Sequence, residues 1–281
     1  MITSVPSALE LERRAYRRGR ERRSVLIAAA STLAFAAVVW VTVINTEGWA
    51  TVQRSFFDPA VALQALPEVW QGFLVNLQVL AISVFTVAAV ALVLALLRTL
   101  RGPVFFPLRL IAAAYTDLFR GLPFVIVLYL IGFGLPTILN TRIDPVLLGV
   151  LAITLTYSAY VAEVVRAGIE SVHPSQRLAA RALGLSYPQT LVRVVLPQAL
   201  RKMTPPLMND FISMQKDVGL ISILAAFDAI AEARGVVATT YNFTPYVVAG
   251  VLFVLLAIPT IRLTDWYTAR LRRREQTGSI L

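Results

Sequence analysis

Six apolar stretches of about twenty residues recur along this 281-residue chain, and their length sets its class. They cover roughly 25–44, 72–97, 111–135, 145–165, 205–230 and 245–263. A run of about 18 or more apolar residues, wound as a helix, matches the hydrocarbon thickness of a bilayer. The reading is an all-α membrane protein with six transmembrane helices. Composition agrees: 57% of residues are hydrophobic and only 15% charged, against about 25% charged in soluble domains. The chain has no cysteine and one histidine. Disulfides, thiol chemistry and thiolate metal sites are therefore excluded, and His173 alone builds no metal site.

The net charge of +10 suits nucleic acid in principle, but its placement points to topology. Residues 1–24 carry Arg13, Arg14, Arg17, Arg18, Arg20, Arg22 and Arg23. Arg22-Arg23 before an apolar run mimics a twin-arginine or secretory signal. The run is longer than a signal core and no A-x-A site follows, so it is read as an uncleaved first helix behind a solvated basic tail. With the N-terminus cytoplasmic, six spans return the C-terminus to the same side. Of the 26 Lys and Arg residues, 21 then lie inside and three outside, at Arg54, Arg142 and Arg234. That asymmetry is a strong positive-inside signal.

Asp58-Pro59 reads as an N-cap followed by proline at the first helical position. Val61, Leu63, Leu66, Val69 and Trp70 then form an amphipathic stretch expected at the outer interface. The longest ordered non-membrane segment lies on the basic side, where residues 176–202 read QRLAARALGLSYPQTLVRVVLPQALRK. Pro174 suits a first helical turn and Gly184 a helix stop. Leu178, Ala179, Ala182 and Leu183 fall on one face, with Arg177 and Arg181 elsewhere on the surface. Ser186 to Gln189 has capping-box spacing and starts a second helix that reaches Pro197. A short helix held by a membrane bundle can seat in a groove on another protein and move as a lever. On pattern alone, a hairpin lying on the inner leaflet, held by arginines and anionic lipid, stands equal beside that reading.

Five ordered motifs tip the balance. They are YTDLFRGLP from Tyr115, FGLP from Phe133, AYVAEVVRAGI from Ala159, LPQALR from Leu196 and PPLMNDFISMQKD from Pro205. Over about 200 residues the chain resembles the permeases of polar amino-acid ABC importers, whose loop is often called the EAA loop. The resemblance implies a five-helix type I importer core, here preceded by one N-terminal helix, in a plasma or inner membrane. It divides the chain into a tail at 1–24, a helix and external segment at 25–71, a permease domain at 72–265 with its coupling loop at 171–200, and a tail at 266–281. It also implies partners: a pair of ATP-binding subunits, a second permease that is a copy or a homologue, and an extracytoplasmic solute-binding protein. This chain has no G-x-x-x-x-G-K-[ST] pattern. ATP and magnesium then belong to the partner, and the chain itself is expected to bind no cofactor and to catalyse nothing.

The same resemblance implies coupling through Arg177, Leu178, Ala179, Ala180, Arg181 and Gly184. Leu178 stands where the family has glutamate, Ser175 where it has glycine, and Val218-Gly219 where it has Thr-Ser. Coupling here would then rest more on shape and on the arginines. Charged residues within spans are functional candidates by default. Arg120, Asn209, Asp210, Ser213, Lys216 and Asp217 are candidates for the translocation path, with Arg120 set before a break at Gly121 and Pro123. Glu163 and Arg166 are candidates for loop anchoring or gating. Asp228 is expected to be solvated at the outer end of the fifth span. The competing class is an ion-coupled secondary transporter of a small polar solute. No internal repeat of the kind common there is present, and it leaves 176–202 unexplained. An intramembrane enzyme lacks any recognisable catalytic set.

Overall fold

The computed structural model describes residues 7–100 and 102–278. Arg101 and the outermost residues of the two tails lie outside them. Every regular element among the described residues is helical. The chain separates into two units, one ending at Ser55 and the other beginning at Phe56.

The first unit holds α1, Ala8–Ile44, and most of α2, Trp49–Phe56. Ser7 caps α1 by accepting the Glu10 N–H, and Asn45 closes it by donating from its side chain to the Val41 carbonyl at 2.7 Å. The hydroxyls in its apolar part donate to carbonyls of the same helix, Ser31 and Thr32 to Ala28 and Thr42 to Val38. A helix facing hydrocarbon needs this internal satisfaction.

The second unit is built around α3, Pro59–Thr99, and α7, Pro145–Glu170. Both start alike, with Asp58 or Asp144 accepting the first free N–H groups and proline next in line. The amphipathic stretch expected near 61–70 is not a separate interfacial piece. It is the first part of α3, and Ala65 and Val69 are fully buried. Between these helices lie α4, Phe106–Gly121, α5, Phe124–Tyr129, a π-helical turn at Leu130–Gly134, and α6, Leu135–Leu139. The span expected at 111–135 is broken, because the chain bends by 107° between Gly121 and Phe124. Pro123 supplies the reason: it disfavours helix in the residue before it, and Leu122 is extended.

After α7 come α8, Pro174–Ala182, α9, Tyr187–Thr190, and a second π turn at Leu191–Val195 that runs directly into α10, Leu196–Asp217. The proline expected to stop the loop helix, Pro197, sits in the first turn of α10. Both π turns lie just before a proline, Pro136 or Pro197. A wider turn relieves the clash between a proline ring and the carbonyl four residues back. The helix passes through Pro205 and Pro206 and stops at Asp217. A 3₁₀ segment, Val218–Leu224, and Ala225 in the left-handed region then reverse the chain into α11, Ala229–Thr240. The long helix α12, Thr244–Gly278, completes the unit. A continuous fifth span over 205–230 is thus replaced by a polar helix and a reversal.

Among the described residues, four helices are long and apolar enough to cross a membrane, or five if the bent pair is one span. The difference from six comes mainly from α10, where Asn209, Asp210, Gln215, Lys216 and Asp217 lower the hydropathy. Packing relies on small residues that let backbones meet. A Cβ on Gly72 would lie 2.4 Å from the Asp228 backbone, bringing α3 against the start of α11. The central core joins Val79 and Val87 of α3, Ile153 and Tyr157 of α7, Met214 of α10, and Ile221 of the 3₁₀ segment.

Candidate functional site: the α8 loop and the polar face of α10

The loop between α7 and α10 is a fixed piece of structure. His173 accepts the Ser175 N–H through Nδ1 and so caps α8, with Pro174 in the first turn. The helix ends where Gly184, at φ +82°, directs its N–H to the Arg181 carbonyl, while Leu185 N–H reaches the Ala180 carbonyl. Glycine adopts that conformation without the strain a Cβ brings. Ser186 and Gln189 then form a reciprocal capping box that starts α9. The spacing read from the sequence is realised at each of these points.

Three contacts hold the loop to the unit beneath it. The Arg177 guanidinium donates to the Ile169 carbonyl near the end of α7. Lys202 of α10 donates to the Ser171 carbonyl at 2.9 Å. Below them Val172, Val195, Ala199 and Met203 form a buried cluster with Val164 and Ile169 around it. Gly168 lets α7 and α10 close on each other here, as a Cβ would stand 2.1 Å from Met203 Cγ. Ala180 faces inward, whereas Leu178 and Leu183 are 70% and 84% exposed. A groove of about 250 Å³ runs beside the helix, lined by Arg177, Leu178, Arg181, Tyr187, Thr190 and Leu191.

Glu163 sits one level deeper, as the centre of an ion-pair cluster. It accepts from Arg98 of α3 at 2.8 Å and from Arg166 of its own helix at 2.5 Å, and Arg120 of α4 stands 3.9 Å away. Arg166 also pairs with Glu170. Glu163 and Arg98 are largely buried, which makes this cluster more than a surface pair. Arg120 is in the last turn of α4, beside the 107° bend, and Tyr160 donates to its carbonyl at 3.3 Å.

At 100° per residue, Asn209, Asp210, Ser213, Lys216 and Asp217 fall within an arc of about 120° on α10. Gln215 is on the opposite side and Met214 lies just beyond the arc; both are buried, Gln215 donating to Thr260 of α12 at 3.2 Å. Asp217 accepts from the Tyr157 hydroxyl at 2.7 Å. Asp210 has a buried Oδ2 without a hydrogen-bond partner among the described residues, and the charge of Arg120 reaches it. Asn209 and Lys216 are exposed. The structure therefore brings Arg120, Asp210, Asp217 and Tyr157 to one region. Along α7, Glu163 and Arg166 lie between Tyr157 and the end that leads to α8.

Asp228 overturns its sequence reading. It is fully buried, capping α11 through Ala231 N–H and accepting from Asn76 at 3.1 Å. A carboxylate that caps a helix and receives an amide has no need of solvent. Asn76, Arg98 and Tyr157 were not singled out in the sequence. For Asn76 a signal exists, since it is one of the few polar residues, with Gln78, in the apolar run of α3.

Residues 103–273 match the family described as binding-protein-dependent transport system inner membrane component. The chain is 31% identical over 202 residues to the arginine transport system permease protein ArtQ of Bacillus subtilis (strain 168), covering 72% of this chain and 91% of that protein. It is 35% identical over 178 residues to the probable glutamine ABC transporter permease protein GlnP of the same organism, covering 63% and 80%. Among solved structures it is similar to an amino acid ABC transporter crystallised with histidines. The TM-score is 0.70 and the identity 29%, over 76% of this chain and 98% of that one.

Proposed function

Because this chain belongs to the family of binding-protein-dependent transport system inner membrane components, we propose that it is the membrane-spanning permease subunit of an ATP-driven importer of a polar amino acid. Its relatives are amino-acid ABC permeases, and it is a multi-pass inner-membrane transport subunit rather than an enzyme. The carrying observation is the α8 loop, capped at both ends, anchored to α7 and α10, and presenting exposed leucines. Such an element moves with the helices that hold it.

In this reading α8 seats on an ATP-binding subunit through Arg177, Leu178, Ala179, Ala180, Arg181 and Gly184. ATP and magnesium are held by that partner. A second permease, a copy or a homologue, completes the path, and an extracytoplasmic solute-binding protein delivers the substrate. The positive-inside asymmetry supports cytoplasmic termini and a cytoplasmic α8. The bent pair and α10 then complete a five-helix core that follows α1 in the sequence. The face of α10 carrying Asn209, Asp210, Ser213, Lys216 and Asp217 is the candidate path wall, with Arg120 opposite. Its charges suit a zwitterionic solute such as arginine or glutamine, which the relatives' names carry. Glu163 and Arg166 tie the end of α7 that bears α8 to α3 and to the bend after α4.

Mild detergent extraction from the native membrane tests this. An ATP-binding subunit should copurify in stoichiometric amount, and vesicles holding the complex should take up amino acid only with ATP and a binding protein. A homo-oligomer without an ATPase, driven by an ion gradient, would overturn it and favour an ion-coupled transporter.

A further inference from the structure

The groove beside α8 holds two polar atoms that the fold leaves unpaired. Thr190 is 4% exposed and lines the groove, and its hydroxyl has no hydrogen-bond partner among the described residues. Arg177 Nε is likewise buried and unpartnered, although another nitrogen of the same guanidinium donates to Ile169. Arg181 stands at the same groove. Buried donors are nearly always satisfied, so a pair left open on one wall points to a missing acceptor.

That acceptor is absent from the loop itself. From residue 171 to 202 the chain carries Arg177, Arg181, Arg193, Arg201 and Lys202 and no aspartate or glutamate. The carboxylate just before it, Glu170, pairs with Arg166, so the loop offers its arginines no counter-charge of its own. The groove, at about 250 Å³, has room for one or two side chains and not for a folded segment. Apolar surface adjoins it: Leu178 in its lining is 70% exposed, and Leu183, which ends α8, is 84% exposed. Lipid headgroups would meet the arginines but leave both leucines in a polar layer. A protein surface covers leucines and arginines together, with apolar contact at the centre and a charge beside it.

We propose that this groove is a socket for one carboxylate side chain, aspartate or glutamate, of the ATP-binding subunit, received by Arg177, Arg181 and the Thr190 hydroxyl while Leu178 and Leu183 pack against apolar residues around it. This rests on the reading of α8 as the coupling element. It adds the polarity of the contact: the permease offers the cations and the partner the anion. A carboxylate held by two guanidinium groups and a hydroxyl is a strong, directional contact.

Thr190→Val gives a test whose sign discriminates. With an empty socket, replacing a buried unpaired hydroxyl by a methyl is neutral or stabilising, so the purified chain should melt at an unchanged or higher temperature. With the carboxylate seated, the same change removes one of its donors. Affinity for the copurified ATP-binding subunit should fall about tenfold for Thr190→Val and for Arg181→Gln. Arg181→Glu should lose more, and a charge reversal at one acidic residue of the partner should restore it. Unchanged or tighter binding by Thr190→Val would overturn the socket. So would loss of binding to phosphatidylglycerol vesicles by Arg181→Gln with subunit affinity intact, which would assign the groove to lipid. If the unaltered chain captures no ATP-binding subunit, the importer reading fails and the socket with it; if the unaltered chain captures it and the variants bind as tightly, the socket alone is removed.

Discussion

Asn76, midway along α3, donates to the Asp228 carboxylate across 3.1 Å and to the Val218 carbonyl across 2.9 Å, while its own carbonyl accepts the Ala229 N–H at 3.1 Å. One fully buried amide therefore ties the end of α10, the reversal after it and the first turn of α11 to the central helix. Val218, Asp228 and Ala229 are all fully buried, so these bonds are made away from water.

Asn76→Ala should accordingly be among the most destabilising single changes away from the loop. It removes buried bonds to a carboxylate, a carbonyl and an N–H at once, and a group left unpaired there costs about 1–3 kcal/mol. A drop in the thermal midpoint of the purified protein equivalent to about 3 kcal/mol is expected. A loss below about 1 kcal/mol would show that the reversal holds itself.

Legibility in the sequence followed the range of each interaction. The loop was readable in detail, because Pro174, Gly184 and the Ser186–Gln189 box act within four residues of themselves. The break after Arg120 was visible for the same reason. Asp228 was misread because its partner is 152 residues away, and no local pattern separates a buried cap from a solvated one. The fifth span was misplaced because two prolines near its start look like a boundary. In the fold they are absorbed into a helix already under way from the π turn. The candidate path residues share one face of α10, which the helical period alone dictates, but their meeting with Tyr157 and Arg120 needed the packing of three helices.

The ion-pair cluster makes a second prediction by contrast between neighbours. Glu163 receives Arg98 and Arg166 in a mostly buried setting, whereas Glu170 is 61% exposed. Removing one partner of a buried pair strands the others, but an exposed pair contributes about 0–1 kcal/mol. Glu163→Gln should lower stability by about 2 kcal/mol and slow amino-acid uptake at least tenfold, with ATPase binding retained. Glu170→Gln should alter neither measurably. Equal effects from the two variants in melting and uptake would remove Glu163 from the centre of the cluster.

The contact between Gly168 and Met203 yields the third. A Cβ at Gly168 would stand 2.1 Å from Met203 Cγ, and Met203 is 2% exposed, so its side chain has little room to turn away. Alanine gains about 1 kcal/mol over glycine within a helix, whereas overpacking a filled core costs about 1–3 kcal/mol. The second term should win, and Gly168→Ala should destabilise by about 1 kcal/mol. Because the misfit lies between α7 and α10 just beneath α8, it should also tilt the loop and reduce the ATP hydrolysed in response to substrate. Met203→Ala opens a cavity by itself and costs about 2–5 kcal/mol. Combined with Gly168→Ala, it gives the new methyl that space, so the double variant should be more stable than the sum of the single losses allows. Melting of the four proteins in one cycle measures this coupling. Strict additivity would mean that the two helices are not held at this point, and that the seat of α8 is set by Arg177 and Lys202 instead.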